Sequence, residues 1–307
     1  MKIAVVGSLN MDLVVKIPRI PSPGETLLGG EFKTHPGGKG ANQAVAAARM
    51  GGDVYMVGCT GDDAFGRELR STLEKDGINT SCVFIQPETA TGVALIQVDD
   101  QGRNSIAVAP GANYRLTVSD IQNAFEKIGR FDILVVQFEI PMETVYSAIR
   151  LGAQMGAKII VNPAPAQSLP PDILALVDYL IPNEFELAIL LHKSGMTEQE
   201  IHENIGQIQA FGCKNCIVTL GKNGSLAVDQ TGHEWHIPAY TVQAVDSTAA
   251  GDCFVGALAV GLSEGKPLDE SIKFASAAAS ISVTREGAQP SIPSRDEVQK
   301  FIYERNN

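Results

Sequence analysis

Asp252 is the side chain whose surroundings best suit it to move a proton. It follows Ala249, Ala250 and Gly251 and precedes an apolar run at helical spacing (Phe254, Leu258, Leu262), so a helix is expected to begin at the three small residues. The first N–H groups of a helix lack intrahelical acceptors, and with no bulky side chain over them they form an anion site that phosphate commonly fills. A carboxylate beside bound phosphate is electrostatically costly unless it takes a proton from an attacking hydroxyl, which is phosphoryl-transfer chemistry. Taken alone, Asp252 also fits a plainer account, an acid favouring a helix start.

Three further stretches bear on the same chemistry. Asn10 and Asp12 follow a short apolar strand, Ile3 to Gly7. On an extended segment two such residues point the same way and offer an amide and a carboxylate to sugar hydroxyls, although a polar turn between strands fits them equally. Pro36-Gly-Gly-Lys-Gly-Ala-Asn42 resembles a P-loop, but Lys39 is followed by Gly40 where that motif needs Ser or Thr. It reads instead as a glycine-rich, ligand-facing turn that feeds an Ala-rich helix with Asn42 on its first turn. Polar residues also stand after apolar strands: Glu139, Asn162, Asn183, Glu186 and the Thr219-Leu-Gly-Lys-Asn-Gly224 loop, whose glycines suit a nucleotide. Each of these, by itself, is better accounted for as a solvated loop.

These residues need a frame. From Val54 onward short apolar strands such as Ile133-Leu-Val-Val136 alternate with helices expected at 63–75, 118–128, 142–154, 184–191 and 198–211, which describes a mostly parallel α/β sheet covered on both faces. The last third is expected to be helical, at 251–262, 268–283 and 295–303, with a loop at 284–293 whose carbonyls could join Asp246 around a cation. Two β-rich insertions, 13–36 and 91–110, flank a helical region and are expected to pair into a small sheet, a lid beside a site on one domain of residues 1–307. The chain has 307 residues, 44% hydrophobic and 19% charged, with a net charge of −11 and no Lys/Arg run. That balance disfavours a nucleic-acid partner. No apolar run is long enough for a membrane helix, and Met1 to Gly7 is too short for a signal peptide, so a cytoplasmic protein is expected. Five cysteines suit a reducing compartment, and the lone Cys213-x-x-Cys216 lacks the second pair or histidine of a zinc site.

With the Asn10/Asp12 pair, Gly37-Gly-Lys-Gly-Ala-Asn42 and Asp246-Ser-Thr-Ala-Ala-Gly-Asp252, the two motifs in the family's order and separation, the chain resembles the PfkB-type carbohydrate kinases from Ile3 to about Phe301. Gly-Gly-Lys-Gly-Ala-Asn-Gln-Ala-Val and Asn162-Pro-Ala-Pro-Ala liken it to the ribose-phosphorylating members. The resemblance implies a doubly wound, mostly parallel sheet with helices on both faces and a small β-sheet lid, two such lids commonly pairing in a homodimer. It implies transfer of the γ-phosphate of ATP to the 5-hydroxyl of D-ribose, with Asp252 as base and the N–H groups of Ala249, Ala250 and Gly251 as anion hole. It assigns Asn10, Asp12, Gly38, Lys39, Gly40, Asn42 and Glu139 to the sugar. Asn183 and Glu186 are assigned to magnesium and phosphate, and Thr219, Leu220, Gly221, Lys222, Asn223 and Gly224, with Gly251 and Ser276, to the nucleotide. Potassium would be held by Asp246, Thr248 and Ser291 with the carbonyls of Ser282, Arg285 and Gly287. Ser276 stands where many relatives carry Asn, Ser247 where they often carry Thr, and Cys253 is unusual after the base. A kinase for 2-deoxyribose, another small sugar or a nucleoside is the near alternative, and a non-catalytic sugar or nucleotide sensor the distant one. A dinucleotide-dependent oxidoreductase would need G-x-G-x-x-G after the first strand, which is absent.

Overall fold

A computed structural model of the chain describes residues 1–210 and 212–306; the helix end expected at Phe211, and Asn307, lie outside them. The first strand, β1 (Lys2–Val6), leads into β2 (Asn10–Ile17) and β3 (Phe32–Gly37), then α1 (Lys39–Arg49), β4 (Asp53–Gly61), α2 (Ala64–Lys75) and β5 (Asn79–Gln86). Next come β6 (Gly92–Asp99), β7 (Asn104–Ala109), α3 (Val118–Ile128), β8 (Ile133–Val136), α4 (Met142–Gln154) and β9 (Lys158–Val161). A short α5 (Pro171–Leu174), β10 (Tyr179–Leu180), α6 (Glu184–Leu190), α7 (Glu198–Ala210) and β11 (Asn215–Thr219) follow. The chain closes with β12 (Ser225–Val228), β13 (Glu234–Ile237), α8 (Ala250–Ser263), α9 (Leu268–Ser282) and α10 (Arg295–Asn306).

Among the described residues nine strands form the main sheet in the order β13-β12-β11-β10-β9-β8-β1-β4-β5. Pairing is parallel from β11 across to β5, and antiparallel only where β12 and β13 extend the edge. Alternate side chains divide the core in two. Ile3, Val5, Ile133 and Val135 pack with α1, α8 and α9, whereas Ala4, Val6, Leu134 and Val136 pack with α3 and α4. Burial on both faces is why these strands read as unbroken apolar runs. The chain moves outward from β1 to β4 and β5, then returns to β8 on the other side of β1. Ligands of doubly wound sheets sit at such a reversal, beyond the carboxyl ends of the strands. Ser8 and Glu139 therefore meet there.

The two β-rich stretches pair into a four-stranded sheet, β3-β2-β6-β7, in which β2 and β6 run parallel. The first starts earlier than expected, at Asn10 rather than 13, and residues 18–31 form no strand. Strands β5, β12 and β13 escaped the sequence reading. β5 mixes exposed and buried positions without a clean alternation, and β12–β13 is a short edge hairpin after a glycine-rich turn.

One close approach fixes the site. A Cβ on Gly256 would lie 2.5 Å from both Ala46 Cβ and the Gln43 carbonyl oxygen, so only glycine lets α8 sit directly against α1. Asp252, one turn earlier on α8, is thereby brought against Asn42 and Gln43.

Candidate active site

Asn10 and Asp12 lie on one face of β2 and are almost fully buried, with 3% and 8% of their surface exposed. Asn113 orients the first. Its Nδ2 donates to Asn10 Oδ1 (2.7 Å) and to the Leu9 carbonyl (3.1 Å), and its Oδ1 accepts from the Leu9 N–H (2.9 Å). Asn10 must then turn its NH2 into the site, where it lies 3.4 Å from Glu139 Oε2. The same Glu139 oxygen accepts from Ser8 Oγ (2.5 Å) and from the Lys39 N–H (3.3 Å), which places its charge at the N-terminus of α1. Gly38, with φ of 90°, turns the chain into that helix, and a Cβ on Gly40 would collide with the Gly7–Ser8 peptide at 2.6 Å.

Asp252 is 6% exposed, on the first turn of α8. Asn42 Nδ2 donates to its Oδ2 and Gln43 Nε2 to its Oδ1, each at 2.9 Å. Asn42 is where the sequence placed it; Gln43 was not foreseen as a partner of the base. It hides in an Ala-rich run, where only its polarity marks it. Ala249, the residue before α8, adopts a left-handed conformation (φ 59°, ψ 11°) that costs a non-glycine residue energy and is found where a site requires it. The anion hole differs in detail from expectation. The Ala250 N–H donates to the Ser247 carbonyl (3.2 Å), which fixes the turn, while the N–H groups of Gly251 and Asp252 have no main-chain acceptor among the described residues.

The charges in this crevice act on one another. Burial, and then the Glu139 and Asp252 carboxylates, push the Asp12 carboxyl up to about 7. Burial alone would lower the Lys39 ammonium, but Asp252, Glu139 and Glu186 outweigh it and hold it above the usual lysine range. Glu186 is raised by burial, against the opposing pull of the Asn183 N–H and Lys39.

Beyond α8 lies a cavity of about 600 Å³. Of the residues assigned to a nucleotide, Thr219, Gly221, Lys222, Gly224, Gly251 and Ser276 line it, as does Ala250. Leu220 and Asn223 do not: Leu220 is buried in the core, and Asn223 turns to Glu198 on α7 (2.9 Å). Much of the wall, Tyr240, Val242, Phe254 and Val283 among it, is apolar and carried no sequence signal beyond hydrophobicity. Asn183 and Glu186 form a reciprocal capping box at the start of α6, and Asn183 bridges to Thr219 at the cavity's edge.

Asp246 ties two loops together. Its Oδ1 accepts from the Thr248 N–H (2.9 Å) and hydroxyl (2.6 Å), its Oδ2 from the Gly287 N–H (2.9 Å). Burial raises its carboxyl, but these donors, with His35 nearby, prevail and leave it below the usual range. The Ser282 carbonyl accepts from the Arg285 N–H (3.1 Å), and the Ser291 hydroxyl donates to the Ala288 carbonyl (2.7 Å). Among the described residues no group of three or more His, Cys, Asp or Glu side chains is placed to hold a metal ion, and no helix is long and apolar enough to cross a membrane.

The description "pfkB family carbohydrate kinase" fits residues 1–295. The chain is 40% identical over 300 residues to a ribokinase of Haemophilus influenzae, covering 98% of each. It is 39% identical over 303 residues to a deoxyribokinase of Salmonella typhimurium, covering 98% of this chain and 99% of the other. Among solved structures, the ribokinase of Arabidopsis thaliana complexed with ribose and ATP superposes with a TM-score of 0.88, at 33% identity and 98% coverage of both chains. With a buried carboxylate at a helix N-terminus among polar side chains, and a cavity of about 600 Å³ beyond that helix, the chain belongs to the pfkB family of carbohydrate kinases and is an ATP-dependent kinase of a small sugar.

Proposed function

We propose that the sugar is D-ribose and the product ribose 5-phosphate. Asp252 takes the proton of the 5-hydroxyl as its oxygen bonds to the γ-phosphorus; the bond to the bridging oxygen breaks and ADP leaves. Main-chain N–H groups of the turn into α8, that of Gly251 among them, stabilise the charge on the transferring phosphoryl group, while the Ala250 N–H stays on the Ser247 carbonyl. Asn10 donates to the sugar and Asp12 and Glu139 accept from it, with Asn42, Lys39 and the Gly38 and Gly40 backbone completing the cradle. The small sheet serves as lid over it. The observation that carries the reading is the buried Asp252 carboxylate, gripped on both oxygens at the start of α8.

The nucleotide takes the cavity beyond α8. Glu186 uses only Oε2 in its capping box, which leaves a hard oxygen donor beside Asn183 suited to magnesium, an ion that keeps several waters and leans on substrate phosphates. Magnesium supplies charge neutralisation at the phosphates. The all-oxygen set of Asp246, Thr248, Ser291 and the carbonyls of Ser282, Arg285 and Gly287 suits potassium, which would stiffen the turn leading into α8. Phe32, Leu95, Ile106 and Val108 leave the small sheet with exposed apolar side chains, between 48% and 61%, which favours pairing with a second copy in a homodimer. A cytoplasmic setting agrees with five buried cysteines.

Kinship to a deoxyribokinase over the same span gives a second reading, 2-deoxyribose as the sugar. An assay coupled to ADP formation, with magnesium and potassium and with ribose, 2-deoxyribose, fructose or adenosine as acceptor, separates them. The first reading expects the highest kcat/KM for ribose, and a preference for any other acceptor ends it.

A further inference from the structure

The Asp252 carboxylate is held by a chain of amides that crosses four elements, and the geometry points to Gln43, at the centre of that chain, as a positioning residue for the base. The inference rests on the reading of Asp252 as base. Gln43 is fully buried on α1. Its Nε2 donates to Asp252 Oδ1 (2.9 Å) and to Asn162 Oδ1 (3.1 Å), and its Oε1 accepts from Gln137 Nε2 (2.5 Å). Both N–H bonds and the carbonyl are thus in use. A flipped amide would face its oxygen toward two acceptors, so the orientation is dictated by its neighbours. Asn162 is fixed in turn, because its Nδ2 donates to the Ile181 carbonyl (2.9 Å).

Following this chain, Gln137 after β8 holds Gln43 on α1, Gln43 holds the base on α8, and Asn162 after β9 links both to Ile181, two residues before Asn183. The base is therefore referenced at once to the helix that begins in the sugar cradle and to the strand end that leads into the phosphate-side capping box. Asn42 grips Oδ2, but one donor leaves the carboxylate free to swing about that contact; Gln43 removes the freedom. None of the proposed sugar partners Asn10, Asp12 and Glu139 hydrogen-bonds Gln43, so loosening it affects the step that needs alignment more than sugar binding. Misplacing a reacting group by roughly 1 Å costs about 100-fold in rate.

The test uses the full chain and whichever of ribose and 2-deoxyribose the wild type turns over faster, so that a wrong sugar overturns the substrate reading and leaves this comparison intact. For Gln43→Met, kcat is expected to fall about 10- to 100-fold while KM and the calorimetric Kd for sugar stay within about threefold. Gln137→Met, which removes only the outer contact, is expected to lower kcat about 3- to 10-fold and serves if the first variant does not fold. In an Asp252→Asn background, Gln43→Met should slow the residual turnover no further, because the two residues act as a unit. The inference is overturned if folded variants keep kcat within about twofold, if sugar affinity is lost in step with kcat, or if Gln43→Met slows the Asp252→Asn enzyme by its wild-type factor.

Discussion

The proposed contact between Asp12 and the sugar makes affinity depend on pH in a way that can be worked out in advance. Burial and two neighbouring carboxylates push its carboxyl up to about 7. Two sugar hydroxyls donate best to an ionised carboxylate, which only accepts. With a midpoint of about 7, roughly one-eleventh of the free protein carries ionised Asp12 at pH 6, half at pH 7 and ten-elevenths at pH 8, so the apparent affinity should rise about tenfold from pH 6 to pH 8. Calorimetry in buffers of different ionisation enthalpy should record about half a proton released per sugar bound at pH 7. The same proton affects folding. Between about pH 4 and 7 the folded chain holds a proton that the unfolded chain has lost, so stability is greatest below the unfolded value and declines as pH rises through about 7, by at most roughly 4 kcal/mol. Asp12→Asn should flatten both profiles and weaken binding, and Asp252→Asn should move the wild-type midpoint down by removing one repulsion. A wild-type affinity that is level from pH 6 to 8, or an Asp12→Asn variant that keeps the slope, refutes the reasoning.

Asp252→Asn should cut turnover by about two to four orders of magnitude with sugar Kd within about threefold, checked by steady-state kinetics and calorimetry; near-normal turnover would remove Asp252 from its role. Replacing potassium with sodium or lithium should depress activity, and indifference to the ion in the coupled assay would undo the Asp246 loop reading. Leu95→Asp with Ile106→Asp should convert a dimer into a monomer by light scattering, a result that a wild type already monomeric at micromolar concentration would pre-empt. Gly256→Val forces atoms against Ala46 and the Gln43 carbonyl, so urea unfolding should show a loss of about 1–3 kcal/mol or more, with turnover falling because the base shifts with α8.

What the sequence disclosed divides along physical lines. Strands buried on both faces announced themselves as apolar runs, and Asn42 and Asp252 stood out because a polar group beside small residues at a helix start has few structural reasons to be there. Gln43, Gln137 and Asn113 were not visible, because their roles come from contacts across 94 to 209 positions of chain, and nothing local distinguishes a buried amide from a surface one. The nucleotide wall was hidden for the opposite reason: Tyr240, Val242 and Phe254 look like any core residue. The Ala250 N–H was counted as free from helix geometry alone, and the Ser247 carbonyl takes it because the chain enters α8 through a left-handed Ala249.

The crevice presents a problem that its parts then answer. Asp252, Glu139 and Glu186 act on Lys39, Asp12 feels Glu139 and Asp252, and on the proposed function a nucleotide triphosphate must approach the same carboxylates. Four ionised carboxylates would repel it. Glu139 is offset by the start of α1, where the Lys39 N–H and the Ser8 hydroxyl point at it. Asp252 is offset by two amides and by its own helix N-terminus. Among the described residues Asp12 has no such donor, and burial beside Glu139 and Asp252 pushes its carboxyl up to about 7. On the proposed function, sugar hydroxyls supply the missing donors, so binding should ionise Asp12 at the moment the acceptor arrives; Asp12 does not line the cavity beyond α8. A coupling between the two ligands follows from that electrostatics: with Asp12→Asn, which never acquires the charge, the coupling between sugar and ATP affinity that this proton carries should disappear, and a coupling free energy unchanged by the substitution would place its origin elsewhere.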